Sequence, residues 1–175
     1  MTTWNIDAAH SEIGFKVKHL VISTVKGTFT NFDAQIQTEG EEFENSKITF
    51  TAQAESITTN NTHRDEHLKN ADFFNVAEFP TITFTSTGIT KNTDGTFTVN
   101  GDFTMHGITK PLTLATTYNG SIVDAYGNTV KSFEIHGSLH RSEFGLVWNA
   151  PLESGGVAVS DEVKLEIIAE FKEVK

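Results

Sequence analysis

The sequence predicts an all-β chain, an extended up-and-down antiparallel β-barrel of about eight strands with one short helical insert near residues 62–70. Apolar residues alternate with Thr and charged residues in segment after segment. Phe97, Val99, Gly101, Phe103 and Met105 share one parity, and Thr96, Thr98, Asn100, Asp102 and Thr104 the other. Strand side chains alternate faces with period two, so each segment has one oily and one wet face. The segments are long, sequential and joined by short connections, which favours antiparallel neighbours. Residues 61–70 lose the alternation.

A short strand is expected near residues 3–7. A second follows at 11–19, with Ile13, Phe15 and Val17 inward, then a turn at 20–23. The next strand, 25–38, changes parity: Gly27 and Phe29 share one face, and Phe32, Ala34 and Ile36 the other, which places a bulge near Thr30-Asn31. Glu39-Gly40-Glu41-Glu42 reads as a solvated hairpin loop before a strand at 46–58, where Ile48, Phe50, Ala52 and Ala54 face inward. Asn61 or Thr62 can cap the helix, with acidic residues in its first turn. Further strands are expected at 81–90, 95–105, 111–123, 131–142 and 161–173. Asn92-Thr93-Asp94-Gly95 and Asp124-Ala125-Tyr126-Gly127-Asn128 supply hairpin turns.

The 175 residues suffice for one domain with a full core, spanning 1–175. Phe outnumbers the other aromatics, 14 against 2 Trp and 2 Tyr, and a Phe brings no polar atom that needs a partner, so the interior can be dry. The absence of Cys excludes disulfides and thiolate metal sites. A net charge of −10 argues against nucleic acid and anionic lipid surfaces as partners. No apolar run approaches the length of a membrane span. The start, Met1-Thr2-Thr3-Trp4, has neither the basic nor the apolar part of a secretion signal. That places the protein in the cytoplasm, or in the periplasm if a signal has been removed.

The inward rows leave two interiors open. Ala52, Ala54, Ser86, Gly88, Gly101 and Gly137 are small and mid-strand, flanked by Phe50, Phe84, Phe97, Phe103 and Phe133. Rings crossing over the small residues would fill the barrel, and rings lining its wall would leave a lumen for a long apolar ligand.

The polar clusters are less specific. His63-Arg64-Asp65-Glu66-His67 matches the H-x-x-E-H zinc pattern, but on a short polar helix with no placed third ligand. His136 and His140 lie about 13 Å apart on a strand and cannot share an ion. Arg141 continues the inward row Phe133, Ile135, Gly137, Leu139. It reads either as a buried ion pair, with Asp65 or Glu143, or as an anchor for a head group at a barrel mouth. No G-x-S-x-G motif and no Gly-rich phosphate loop is present.

A resemblance runs through the chain. Trp4-Asn5-Ile6-Asp7, His10-Ser11 and Phe15-x-Val17-x-His19 open it. Val25-x-Gly27-x-Phe29, Arg64-Asp65-x-His67-Leu68, Asp72-Phe73-Phe74 and Phe79-Pro80-x-Ile82-x-Phe84-x-Ser86 continue it. The stretch from Gly101 through Asp102-Phe103-Thr104-Met105-His106-Gly107-Ile108-Thr109-Lys110 to Pro111, and Arg141-Ser142-Glu143-Phe144-Gly145, complete it. In these residues the chain resembles the YceI-like family of bacterial lipid-binding proteins, with Asp102-Phe103 where Asn, Asp or Thr followed by Leu is more usual. The resemblance implies a lipocalin-like barrel with a hydrophobic lumen, binding of polyisoprenoids or other long amphiphiles, and a homodimer. It also makes the zinc pattern accidental, because His63 and Glu66 fall at variable positions.

The expected function is non-enzymatic binding, transport or sequestration of such a chain, with no cofactor and with the bound lipid as ligand. The expected tail contacts are Phe15, Val17, Phe29, Phe50, Ala52, Phe84, Phe97, Phe103, Phe133 and Leu139. The expected head-group contacts at the mouth are Arg64, Asp65, His67, His106 and Arg141, and no metal is expected. Two alternatives stand beside this: an enzyme acting on a lipid head group with His67 or His106 as base, and a packed-barrel interaction protein.

Overall fold

The computed structural model describes residues 1–153 and 156–175. Its strands are β1 (Thr2–Ile6), β2 (Glu12–His19), β3 (Ser23–Phe29), β4 (Phe32–Thr38), β5 (Ser46–Gln53), β6 (Ile57–Thr58), β7 (Thr81–Lys91), β8 (Phe97–Met105), β9 (Ile108–Val123), β10 (Thr129–His140) and β11 (Glu162–Glu173). One α-helix, α1 (Thr62–Lys69), lies between β6 and β7. All pairings are antiparallel, and β1-β4-β5-β7-β8-β9-β10-β11 close into a ring through β1 and β11.

The extra strands arise because the first three long strands are each broken once. β1 and β2 both lie along β11, separated by a 3-10 turn at Ala8–His10. β3 and β4 part at Thr30-Asn31, where the parity switch placed a bulge. β5 and β6 part at a 3-10 turn, Ala54–Ser56, within the strand expected at 46–58. The broken strands keep their neighbours on both sides of the break, except that β6 pairs with β3 alone, so the barrel is eight strands in simple up-and-down order, three of them composite. Closure through β1 and β11 removes the edges of the ring and leaves only the two-residue β6 with an unpaired side among the described residues.

Alternation of faces is complete along β8, where Phe97, Val99, Gly101, Phe103 and Met105 are buried and the residues between them are not. It fails at Gly88. A bulge between Ser86 and Gly88 turns the glycine outward into open space and sends Ile89 to the core instead. Ser86 Oγ accepts from Ile48 N–H at 2.8 Å, so the backbone donor opposite the bulge is satisfied. β9 starts at Ile108, earlier than expected, because His106-Gly107 already make the turn with φ of 55° and 73°. The helix begins where the sequence places it, with the Asn61 side chain accepting from Arg64 N–H at 3.1 Å.

Candidate functional site

The barrel encloses a cavity of about 410 Å³. Its floor comes from an unexpected source. The β4–β5 connection folds a 3-10 turn, Phe43–Asn45, and drops Phe43 into the end of the barrel. The Phe43 ring lies 5.0 Å from Phe97 and 5.2 Å from Phe133. Phe97 is therefore inward and buried but does not line the cavity, because Phe43 stands in front of it. The other expected tail residues, Phe15, Val17, Phe29, Phe50, Ala52, Phe84, Phe103, Phe133 and Leu139, all form the wall.

The small residues of the inward rows serve close packing. The Phe84 ring covers Gly101, the Phe15 ring covers Gly27, and Leu114 Cδ2 would lie 2.7 Å from a Cβ at Gly137. Rings do cross over the small residues, and a lumen remains between them. One polar atom sits in the wall away from the mouth. Thr116 Oγ1 is buried and has no hydrogen-bond partner among the described residues.

The mouth lies at the other end, about 25 Å from Phe133 along β10. It is built from α1, the 71–80 segment and the long connection between β10 and β11. Arg141 leaves β10 into a 3-10 turn, Arg141–Phe144, and points inward with 5% of its surface exposed. Its guanidinium donates to four carbonyls: Ser160 O at 2.9 Å, Leu146 O at 2.8 Å, Trp148 O at 2.9 Å and Val159 O at 3.3 Å. The expected ion pair with Asp65 or Glu143 is replaced by this carbonyl clamp, and burial lowers the Arg141 pKa against the opposing pull of Asp161. The guanidinium carbon also sits 5.9 Å from the centre of the Phe73 ring.

Arg64 and His67 share the mouth with Arg141. Arg64 donates Nε to Thr59 Oγ1 at 2.7 Å and Nη2 to Thr59 O at 2.9 Å. His67 Nε2 is 2.9 Å from Asp72 Oδ2, and its ring packs edge-on against Phe73 at 5.1 Å and Trp148 at 4.9 Å. Two expected mouth residues lie elsewhere. Asp65 is turned away from the cavity, with its carboxylate accepting from both the N–H and the hydroxyl of Thr59. His106 occupies the β8–β9 turn, bonded to Phe144 O at 2.9 Å and packed 4.5 Å from Phe79, outside the wall. Among the described residues neither His67 nor His106 is bonded to a Ser or Thr hydroxyl.

Residues 4–171 match the YceI-like domain. A UPF0312 protein of Staphylococcus aureus is 39% identical over 172 residues, 98% of each chain. The chain belongs to the YceI-like family. The structure of a Campylobacter jejuni YceI protein superposes with a TM-score of 0.78 at 31% identity, covering 97% of this chain and 96% of that one. A domain from Saccharophagus degradans, described as polyisoprenoid binding and implicated in plant cell wall breakdown, has a TM-score of 0.67 at 13% identity over 97% of both chains, which shows the shared fold.

Several of the YceI-like motif residues build the architecture around the cavity. Asp7, His10 and Ser11 staple the break between β1 and β2 to β11. Asp7 Oδ1 accepts from Ala9 N–H, Asp7 Oδ2 meets His10 at 2.9 Å and Lys172 Nζ at 2.9 Å, and Ser11 Oγ accepts from Glu170 N–H. Among the described residues the tight grouping of three potential metal-ligating side chains is here, at Asp7, His10 and Glu170, not at His63 and His67. Phe73 belongs to the motif too, and its place in the mouth was open to a reading that followed the motif residue by residue. Trp148 and Phe43 carry no such signal, because both sit in connections without alternation.

Proposed function

We propose that this YceI-like chain binds a long-chain amphiphile, such as an isoprenoid quinone or a prenyl phosphate, and carries or sequesters it without chemical change. The observation that carries this is the cavity itself. At about 410 Å³ it falls within the ~300–1,000 Å³ of small-molecule sites and far exceeds the water-sized voids of a packed core. Its walls are phenylalanines and aliphatic side chains, and its charged groups gather at one end. A ligand that fits has an apolar tail and one polar head. Burial of the tail contributes ~25 cal/mol per Å², offset in part by ordering a flexible chain. Arg64, which keeps Nη1 outside its bonds to Thr59, and His67 would meet the head, since all three guanidinium nitrogens of Arg141 donate to carbonyls. The polyisoprenoid-binding description of the Saccharophagus degradans domain supports the same ligand class.

Native mass spectrometry of freshly purified protein, followed by organic extraction, tests the proposal. The expected result is a retained apolar chain, or stoichiometric uptake on titration with an isoprenoid quinone or prenyl phosphate. A single ligand-free mass that takes up neither overturns it.

A further inference from the structure

The turn between β2 and β3 breaks two rules that turns normally obey. Its residues are Leu20, Val21 and Ile22, exposed by 44%, 57% and 86%. Leu20 and Val21 also adopt φ of 53° and 69°, the left-handed region where Asn and Gly are favoured and a β-branched residue is an outlier. A sequence selected only to fold would place polar, αL-tolerant residues here. The turn therefore accepts strain in order to present apolar side chains to the outside, a pattern associated with functional sites.

The charge around this turn runs against that of the chain. Between Glu12 and Asp33 there is no acidic residue, yet Lys16, Lys18 and Lys26 lie there, three of the 11 lysines of a chain with net charge −10. Lys16 pairs with Glu166. Lys18 and Lys26 are exposed on the outer face of the hairpin and have no carboxylate partner among the described residues. The Lys18 ammonium donates to the Thr24 hydroxyl at 3.1 Å. An apolar tip with basic residues behind it is the arrangement that enters an anionic lipid interface.

The turn is also continuous with the cavity. Val17 and His19, just before it, line the wall. Leu20 N–H donates to Ala158 O at 2.8 Å, and Ala158 and Val159 line the wall as well. Val157, next in that strap, is 43% exposed and extends the apolar rim.

We propose that the Leu20-Val21-Ile22 turn is a membrane-docking element, which seats the cavity mouth on an anionic phospholipid surface so that an apolar chain passes between bilayer and barrel without crossing water. The proposal rests on the reading of the cavity as a lipid site. The chain as a whole carries a net charge of −10, so the basic flank of this hairpin favours an approach with the tip toward the surface.

The test uses the whole protein, co-sedimented with vesicles of phosphatidylcholine alone or mixed with phosphatidylglycerol. The paired variant Val21→Asn with Ile22→Asp makes the tip polar, and Lys18→Glu with Lys26→Glu reverses its flank. The parent is expected to pellet with the mixed vesicles, less at high salt, and each paired variant to lose about tenfold or more of that binding. Asn tolerates the left-handed region, so the tip variant should melt no lower than the parent. Uptake of geranylgeraniol from solution, followed by tryptophan fluorescence, should be equal in all three. A parent that stays in the supernatant, or a polar-tip variant that pellets equally well, overturns the docking proposal and leaves the cavity reading standing. Tip-dependent pelleting without geranylgeraniol uptake supports docking and counts against the cavity reading.

Discussion

At the scale of single residues, the two arginines divide their roles. Arg141 is buried and holds the carbonyls of Leu146, Trp148, Val159 and Ser160, which ties the β10–β11 connection over the cavity. An ammonium is a point donor and cannot replace a planar fork that reaches two chain segments. Arg141→Lys should leave carbonyls unpaired and destabilise the fold by about 2–4 kcal/mol, measured by urea unfolding. Its relative binding of an anionic and a neutral amphiphile should not change. A shifted preference with unaltered stability would show instead that Arg141 meets the head group. Thr116 presents the opposite case, a buried hydroxyl with nothing to bond among the described residues. Thr116→Val keeps the shape and removes an unpaired polar group, so the ligand-free protein should gain about 1 kcal/mol. A loss of stability would reveal a partner for the hydroxyl.

At the scale of elements, the sequence was most legible where the chain repeats itself. Period-two alternation located the strands, and the parity switch at Thr30-Asn31 located a break. The bulge at Ser86–Gly88 was not legible, because a bulge leaves the local composition of a strand unchanged and only the pairing with β8 reveals it. The Asp7/His10/Lys172 staple was visible as a motif, but its role depends on β11, more than 150 residues away in the chain. It carries a pH signature. The Asp7 pKa is lowered from its ordinary 3.8, first by Lys172 and then by His10. The His10 pKa is raised from 6.5 by Asp7. A lowered carboxylate stabilises above its unfolded value and loses that contribution as pH falls through its folded value. A raised imidazole stabilises below its unfolded value and loses that contribution as pH rises through its folded value. The staple is therefore strongest between pH 3.8 and 6.5. The difference in urea midpoint between the parent and Asp7→Asn should be largest in that window, shrink in acid, and shrink partly above neutrality while Lys172 remains. A difference that grows toward acid would contradict this assignment.

At the scale of the whole molecule, parity told which residues point inward but not whether inward means packed or open. That outcome depends on how far the eight barrel strands splay and on which loops fold into the ends, and neither is written in any one strand. Phe43 shows the point: a residue in a connection closes the floor and removes Phe97 from the wall. The open lumen makes a test that a filled barrel would fail. Ala52 lies in the middle of the wall on β5, opposite Phe32 and Ile82, and is 1% exposed. In Ala52→Trp the indole has about 410 Å³ of empty space to enter. Melting temperature should fall little, while uptake of an isoprenoid chain should be largely lost because the ring lies in its path. A barrel without a lumen would instead be overpacked, at a cost of about 1–3 kcal/mol. Thr49→Trp, three residues away and exposed on the outer face of the same strand, should bind as the parent does. Calorimetry and ligand titration on both variants separate the cases. Normal uptake in Ala52→Trp would mean that the tail does not run past β5, and strong destabilisation without ligand would mean that the lumen is closed in solution.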